Sequence, residues 1–333
     1  MDPAQRLAQM VNGYQVSQAL HVAATLGLSD LLASGPRSVE DLAEVTATHA
    51  PTLARLLRAL ESVDVYERDD EGRYANTEMG SLLRADVPGS LAGWTGFVGR
   101  PYYWQAWAGL EGSVRTGENA FRSLHGMSPW DYRNAHHDEQ EIFAKSMTSQ
   151  AGRVAHAVAD SYDFSGFETV VDVGGGAGAL LATILSTHVG LRGVLFDQPG
   201  VVAGAPEVLE GAGVTDRCEV VGGSFFDSVP AGADAYLLKA VIHDWMDPES
   251  VAILRACREA MPDQGMLLLV EQLLDEGPDH ARTAFSDLNM LVGPGGRERT
   301  VDEYRSLLAT AGLTLTKVIP TGTAVFVIEA VPG

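Results

Sequence analysis

Apolar positions follow a helical period through the N-terminal part of the chain, then gather beyond Gly166 into short runs separated by glycine-rich and polar segments. Leu53, Leu56, Leu57 and Leu60 share one face of a predicted helix over residues 51–60. Ahead of it, Ser38 and Asp41 stand at capping-box spacing before Leu42 and Val45. Behind it, two extended runs, 63–68 and 73–75, flank Asp69-Asp70-Glu71-Gly72 in the layout of a hairpin. Helix, turn, helix and hairpin together predict a winged helix. From Trp94 to Ser161 the period is helical again, with aromatics at Trp94, Phe97, Tyr102, Tyr103, Trp104 and Trp107. Most of these are expected in ordinary core packing, and a few are available to wall an apolar pocket.

The later runs predict strands over 169–173, 193–196, 218–221, 235–238 and 266–270, with helices between them. One such helix is expected to open at Asp247 as N-cap, with Pro248 at the first helical position. Thr300 and Glu303 form a second capping box, and Gly312 suits the end of that helix. Two final runs, 313–319 and 324–330, flank Pro320-Thr321-Gly322-Thr323. The fold class is α/β: a doubly wound, Rossmann-like sheet ending in an antiparallel hairpin, preceded by a mainly helical winged-helix domain.

Charge narrows the possible partners. A formal net charge of −21 with lysine only at positions 145, 239 and 317 is a poor match to polyanions, whose binding draws on Lys and Arg. The expected recognition helix offers Arg55 and Arg58 amid acidic surroundings, so a structural role is favoured over DNA reading. No apolar run is long enough to cross a bilayer, and the N-terminus lacks the basic-then-apolar layout of a signal peptide. Cys218 and Cys257 form neither a disulfide framework nor a metal-ligand pattern. A cytoplasmic protein without nucleic-acid, membrane or metal partners is the expectation.

The run 169–173 leads straight into Gly174-Gly175-Gly176-Ala177-Gly178 and then a helix. Such glycines let the backbone turn sharply and pass close to a ligand at the sheet's edge. Asp197 ends the next strand, where a carboxylate accepts from both hydroxyls of a ribose. Loop and carboxylate alone suit a dinucleotide equally well. Asp172, immediately before the loop, separates the two: it attracts a ligand ammonium and repels a pyrophosphate. No lysine completes a Tyr-x-x-x-Lys pair. These two features, together with the match of the later segments to a methyltransferase, make S-adenosylmethionine the expected cofactor.

The ordered segments Asp172–Gly178, Phe196-Asp197-Gln198-Pro199, Gly222-Gly223-Ser224-Phe225-Phe226, Leu238–Trp245 and Gly295-Gly296-Arg297-Glu298-Arg299-Thr300 carry a further message. Together they closely resemble the plant-type small-molecule O-methyltransferases of class I and their bacterial relatives in natural-product pathways. The resemblance spans nearly the whole chain. It implies a dimerisation domain over residues 1–95 and a catalytic domain over 96–333, with 96–165 lining the substrate and 166–333 forming the cofactor-binding core. An apolar N-terminal stretch, Leu7, Met10, Val11, Tyr14, Leu20, Val22 and Leu26, adds the expectation of a homodimer.

By the same resemblance, Gly174 and Gly176 lie against the methionine part of the cofactor and Asp197 binds its ribose. Ser224 and Phe225 flank the adenine, with Lys239 and Trp245 close by. Ser224 departs from the plant pattern, which carries Asp there; a hydroxyl hydrogen-bonds but brings no charge. His243 follows the fourth strand at the sheet's carboxyl edge, Glu271 ends the fifth, and Glu298 sits in the Gly-Gly-Arg-Glu-Arg-Thr loop. A lone histidine is more often structural; the two acids change that balance. In the family the matching His is the base and the two Glu flank and orient it. Phe143, Met147, Trp104, Asn289 and Met290 match positions against the aromatic acceptor. The expected activity is methylation of a hydroxyl on a small aromatic natural product. N-methylation or a cofactor-assisted hydroxylation on the same scaffold is the alternative, and a DNA-binding regulator a more remote one.

Overall fold

The computed structural model describes residues 2–277 and 280–333. The chain divides into two compact units, residues 1–104 with 138–150, and residues 105–137 with 151–333.

In the first unit, Ser38 accepts from the Asp41 amide and opens the helix Val39–Val45. The helix Ala50–Glu61 buries Leu53, Leu57 and Leu60 on the face its spacing predicts. Strands β1 (Tyr66–Arg68) and β2 (Tyr74–Asn76) pair antiparallel across the acidic turn, completing the winged-helix layout. Arg55 and Arg58 are exposed on the outer side of their helix. The helix Pro3–Val11 buries no residue of its own and leaves Leu7, Met10 and Val11 more than 60 % exposed. Those side chains form an exposed apolar face.

The second unit is built on a seven-stranded sheet of β3 (Thr169–Val173), β4 (Arg192–Asp197), β5 (Cys218–Gly222), β6 (Ala235–Lys239), β7 (Met266–Gln272), β8 (Leu313–Pro320) and β9 (Val325–Pro332). The spatial order is β5-β4-β3-β6-β7-β9-β8; β3 through β7 run parallel, and the final hairpin is antiparallel. Alternate side chains of the central strands feed cores on opposite faces. Val171, Val173, Tyr236 and Leu238 pack with Ile253, Leu254 and Leu308, whereas Val170, Leu237 and Leu268 pack with Leu181, Ile184 and Val158. Burial on both faces is why these strands read as unbroken apolar runs and not as alternating ones.

Two local features place the site at the sheet's carboxyl edge. Ala240 adopts a left-handed φ of 53° directly after β6, a conformation that costs an L residue roughly 1–2 kcal/mol. It turns the chain sharply into the 3-10 turn Ile242–Asp244. The segment 293–300 then comes back beside the end of β7, where Leu273 and Arg299 form a parallel bridge. The helix Val301–Thr310 opens with the expected reciprocal cap between Thr300 and Glu303.

The expected N-cap at Asp247 is corrected. Met246 caps the helix Asp247–Ala260, and Asp247 lies in its first turn. Its carboxylate instead accepts from the Arg299 guanidinium at 2.8 and 3.1 Å, a stronger attraction than a neutral backbone amide offers. Among the described residues, no helix is long and apolar enough to cross a membrane.

Gly296 packs flat on the His243 turn, and a Cβ there would run into the His243 carbonyl oxygen and the Asp244 backbone. Gly296→Ala is therefore expected to lower stability by about 1–3 kcal/mol, the usual cost of overpacking, as read by chemical denaturation. An unchanged midpoint and slope would show that this turn yields freely.

Candidate functional site

The end of β7, the turn after β6 and the return loop 293–300 meet around His243. Glu271 near the end of β7 is buried, and its Oε1 accepts from the backbone N–H groups of Val241 and Ile242 at 3.2 and 2.9 Å. Its Oε2 lies 3.4 Å from His243 Nδ1. Glu298, fully buried, places Oε1 3.2 Å from the same nitrogen. Both carboxylates thus face Nδ1, which in the neutral imidazole makes Nδ1 the proton-bearing nitrogen and Nε2 the accepting one. Asp244 Oδ1 stands 3.6 Å from Nε2. The structure brings His243, Glu271 and Glu298 together as their spacing along the sheet's edge predicts.

Burial alone would push the His243 imidazolium down. The charges of Glu271 and Glu298 and the Glu298 hydrogen bond outweigh it and raise the group to about 10. Glu271 is itself raised to about 7 by burial, partly offset by the His243 charge. Asp244 goes up to about 6, again through burial, against the pull of His243 and of Arg133. The cluster binds a proton tightly and shares it among several groups. Donor atoms of His243, Glu271 and Glu298 lie within 4.8 Å of one another, close enough to hold a cation. Any cation there would have to displace the Nδ1 proton and compete with the donors already on Glu298 Oε1, which favours the hydrogen-bonded reading.

On the other side of β6, the glycine loop and β4 form a second group. Gly174, Gly176 and Gly178 have φ of 71°, 63° and 86°, values that only glycine adopts without strain. Asp197 accepts from the Gly176 amide at 2.8 Å and from its neighbour Gln198 at 2.6 Å. Asp172 is 1 % exposed, and among the described residues neither carboxylate oxygen has a partner at full hydrogen-bond geometry, the Leu181 backbone giving only a weak stabilisation. Burial raises it to about 7 despite the Lys239 charge nearby. Lys239 is in turn lowered by burial, with Asp172, Glu271 and Asp244 opposing the shift. A buried carboxylate so weakly partnered is expensive, and an incoming ammonium would satisfy it.

A cavity of about 610 Å³ opens beyond the end of β4, walled by Asp197, Ser224, Phe225 and Trp245 among others. Phe225 and Phe226 meet the Trp245 ring edge-on at 6.1 and 4.8 Å, and Trp130 lies nearly parallel to it at 6.2 Å. Flat aromatic walls with a carboxylate and a hydroxyl at one end suit a purine nucleoside. Ser224 Oγ accepts from the Phe226 amide at 3.2 Å. Asp172, Gly174, Gly176 and Lys239 are not part of that lining.

The expected acceptor-side residues fall in both units. In the first, Trp104 is half-buried in the helix Pro101–Ala108, and Phe143 packs edge-on to Phe97 at 5.2 Å. Met147, one turn beyond Phe143, is 38 % exposed. In the second, Asn289 and Met290 sit in the helix His280–Val292, Met290 buried.

Sequence reasoning overlooked several groups. Asp244, adjacent to His243, was available from the chain itself as a third acid beside the imidazole. Trp130 and Arg122 line the cavity from helices far from the glycine loop, and only tertiary structure brings them there. Arg299 is 1 % exposed and donates to the carbonyls of Ile242 and Trp245 at 3.1 and 2.8 Å. Ser286 and Gln272 hydrogen-bond Glu298 Oε1 at 2.7 and 3.4 Å.

A doubly wound parallel sheet with this loop, buried acid and histidine cluster defines a nucleoside-cofactor transferase. Residues 107–314 match the family described as O-methyltransferase domain, and residues 8–86 match the O-methyltransferase dimerisation domain. The chain belongs to this S-adenosylmethionine-dependent O-methyltransferase family and is of its natural-product type. It is 44 % identical to phenazine O-methyltransferase PhzM of Lysobacter antibioticus over 98 % of this chain and 95 % of that protein. Identity to a mitomycin biosynthesis 6-O-methyltransferase of Streptomyces lavendulae is 42 %, over 94 % and 90 %. The crystal structure of human N-acetylserotonin methyltransferase in complex with S-adenosylmethionine superposes with a TM-score of 0.90 at 31 % identity, covering 100 % of this chain and 99 % of that one. Relatives that do other chemistry include aclacinomycin 10-hydroxylase of Streptomyces purpurascens, 36 % identical over 89 % of this chain and 81 % of that protein.

Because burial holds Asp172 up to about 7, a proton competes with a ligand ammonium for it below that pH. Affinity for S-adenosylhomocysteine should therefore fall as pH drops from 8 to 6, by at most about tenfold per unit. Asp172→Asn should bind weakly and lose most of this dependence. Calorimetry across that range checks both, and a pH-independent affinity in the native protein would remove Asp172 from the ammonium site.

Proposed function

We propose that the protein methylates a hydroxyl group of a small aromatic natural product, with His243 taking the hydroxyl proton. The observation that carries this reading is the double carboxylate hold on Nδ1, which leaves Nε2 as the proton acceptor once the imidazole is in its neutral form. When bound, S-adenosylmethionine would supply a sulfonium methyl to the acceptor oxygen, the carbon–sulfur electron pair staying on sulfur. The part of His243 is to take the hydroxyl proton on Nε2. A phenol with a pKa of about 10 is a poor nucleophile at neutral pH, and a neighbouring base removes that handicap. Glu271 and Glu298 orient the ring and stabilise the imidazolium that forms.

Around the cofactor, we assign Asp172 to the ammonium, Gly174 and Gly176 to the methionine backbone, and Asp197 to the ribose. Ser224, Phe225, Trp245 and Lys239 are assigned to the adenine side. Trp104, Phe143, Met147, Asn289 and Met290 are assigned to the acceptor. Relatives named for phenazine and for a dihydroxynaphthoate support an aromatic acceptor. In this reading the 1–95 segment dimerises through the exposed face of the helix Pro3–Val11, and 96–333 is catalytic. The dimerisation-domain match and the exposed Leu7, Met10 and Val11 support that assembly. A hydroxylase-type divergence is disfavoured because the complete His–Glu–Glu set is what proton removal from a hydroxyl requires.

His243→Gln keeps approximate size and a hydrogen-bonding tip but removes proton acceptance. Turnover on a weakly acidic phenol should fall by roughly two to four orders of magnitude, the usual worth of a general base. Binding of S-adenosylhomocysteine should barely change. Glu271→Gln and Glu298→Gln should each cost less. Near-normal turnover by His243→Gln would mean that proximity alone drives transfer. Light scattering at micromolar concentration should give twice the chain mass; a monomer mass would overturn the assembly.

A further inference from the structure

Glu298 carries an arrangement that holding a histidine ring does not by itself require. Its Oε1 accepts from His243 Nδ1 at 3.2 Å, from the Ser286 hydroxyl at 2.7 Å and from the Gln272 amide at 3.4 Å. Gln272 Nε2 also donates to Ser286 Oγ at 3.0 Å, so the two side chains form a short relay that ends on the carboxylate. The Glu298 amide donates to Asp287 Oδ1 at 2.9 Å, which fixes the segment against the same helix that bears Ser286. Oε2, in contrast, has no hydrogen-bond partner among the described residues. The hydroxyl and the amide thus compete with the imidazole for one oxygen.

That competition has an electrostatic consequence. The imidazole faces Glu271 from β7, Glu298 from the return loop and Asp244 from its own turn. Lys239 at the end of β6 acts on Asp172, Glu271 and Asp244, and Arg133 on Asp244. The Tyr304 hydroxyl, near Arg299, feels both glutamates. With three acids about one ring, the imidazolium is held strongly, and a histidine that never gives up its proton cannot take another. Donors on the carboxylate disperse its charge and weaken that hold.

We propose that Ser286, backed by Gln272, is a positioning residue that moderates the grip of Glu298 on the Nδ1 proton of His243. The inference rests on the assignment of His243 as base. The hydroxyl draws charge density from Oε1 and sets the orientation of the carboxylate toward the ring. Its removal leaves a more basic carboxylate, a stronger Nδ1–H···Oε1 bond and a histidine that returns to its neutral form less readily.

Ser286→Ala and Ser286→Thr test this, with two measurements on the intact protein. The first is the downfield proton resonance of His243 Nδ1–H, assigned by its loss in His243→Gln; it needs no turnover. It should move further downfield in Ser286→Ala and return in Ser286→Thr. The second is kcat/KM against pH with a phenolic acceptor. The rising limb should shift to higher pH by roughly one unit in Ser286→Ala, the scale on which protein environments move such groups. Ser286→Thr should restore it. Should Ser286→Ala fail to fold, Gln272→Leu is expected to give a smaller shift of the same sign. An unmoved resonance and limb, or a failure of threonine to restore them, overturns the inference. Turnover retained in His243→Gln would instead overturn the base assignment, while the resonance still reports on Ser286.

Discussion

Buried charge pins the backbone of the turn that carries His243 from two sides. Glu271 Oε1 accepts the amides of Val241 and Ile242, and the Arg299 guanidinium donates to the carbonyls of Ile242 and Trp245. Each ion would cost several kcal/mol to bury alone, and each is tolerable because it is hydrogen-bonded on several sides. Arg299 adds Asp247 at 2.8 Å and Ser250 at 3.3 Å. The second oxygen of Glu271 is then directed at Nδ1. One carboxylate therefore shapes the turn and orients the ring it carries, and the return loop completes the hold through Glu298 and Arg299.

Sheet order explains why the cofactor loop and the histidine cluster lie at one edge. The strand order reverses between β3 and β6, and the loops after these two strands diverge to opposite faces and leave a crevice. Gly174 follows β3, and Ala240 and His243 follow β6. A left-handed Ala240 is the local cost of turning the chain there. Lys239 sits between the two groups and feels acids of both, Asp172 on one side and Glu271 and Asp244 on the other. Acidic groups of both sets flank this crevice, which suits a cationic methyl donor.

Much of this was legible in the amino-acid sequence because each signal was local. The run 169–173 coincides with β3, since a strand buried on both faces has no competing pattern. The Thr300–Glu303 box formed as written because both partners lie within one helical turn. Asp247 was misread for the opposite reason: its partner, Arg299, is 52 positions away and stronger than the amide it was expected to cap. The His243, Glu271 and Glu298 set was legible through ordered motifs, although what joins them physically is the bridge between Leu273 and Arg299. Ser286, Gln272 and Trp130 carried no such signal. Their meaning depends on a return loop and a helix whose placement no local pattern encodes.

The central claim is that the acceptor's proton passes to Nε2 of His243. A phenolic acceptor whose phenolate absorbs visibly, bound to the protein with S-adenosylhomocysteine at a pH below the acceptor's own pKa, tests it without any methyl transfer. The native protein should show the phenolate band on binding, because the imidazolium held by Glu271 and Glu298 stabilises the anion. His243→Gln should bind the same acceptor as the neutral phenol. A phenolate band that persists in His243→Gln would contradict the account and point to another group as the base.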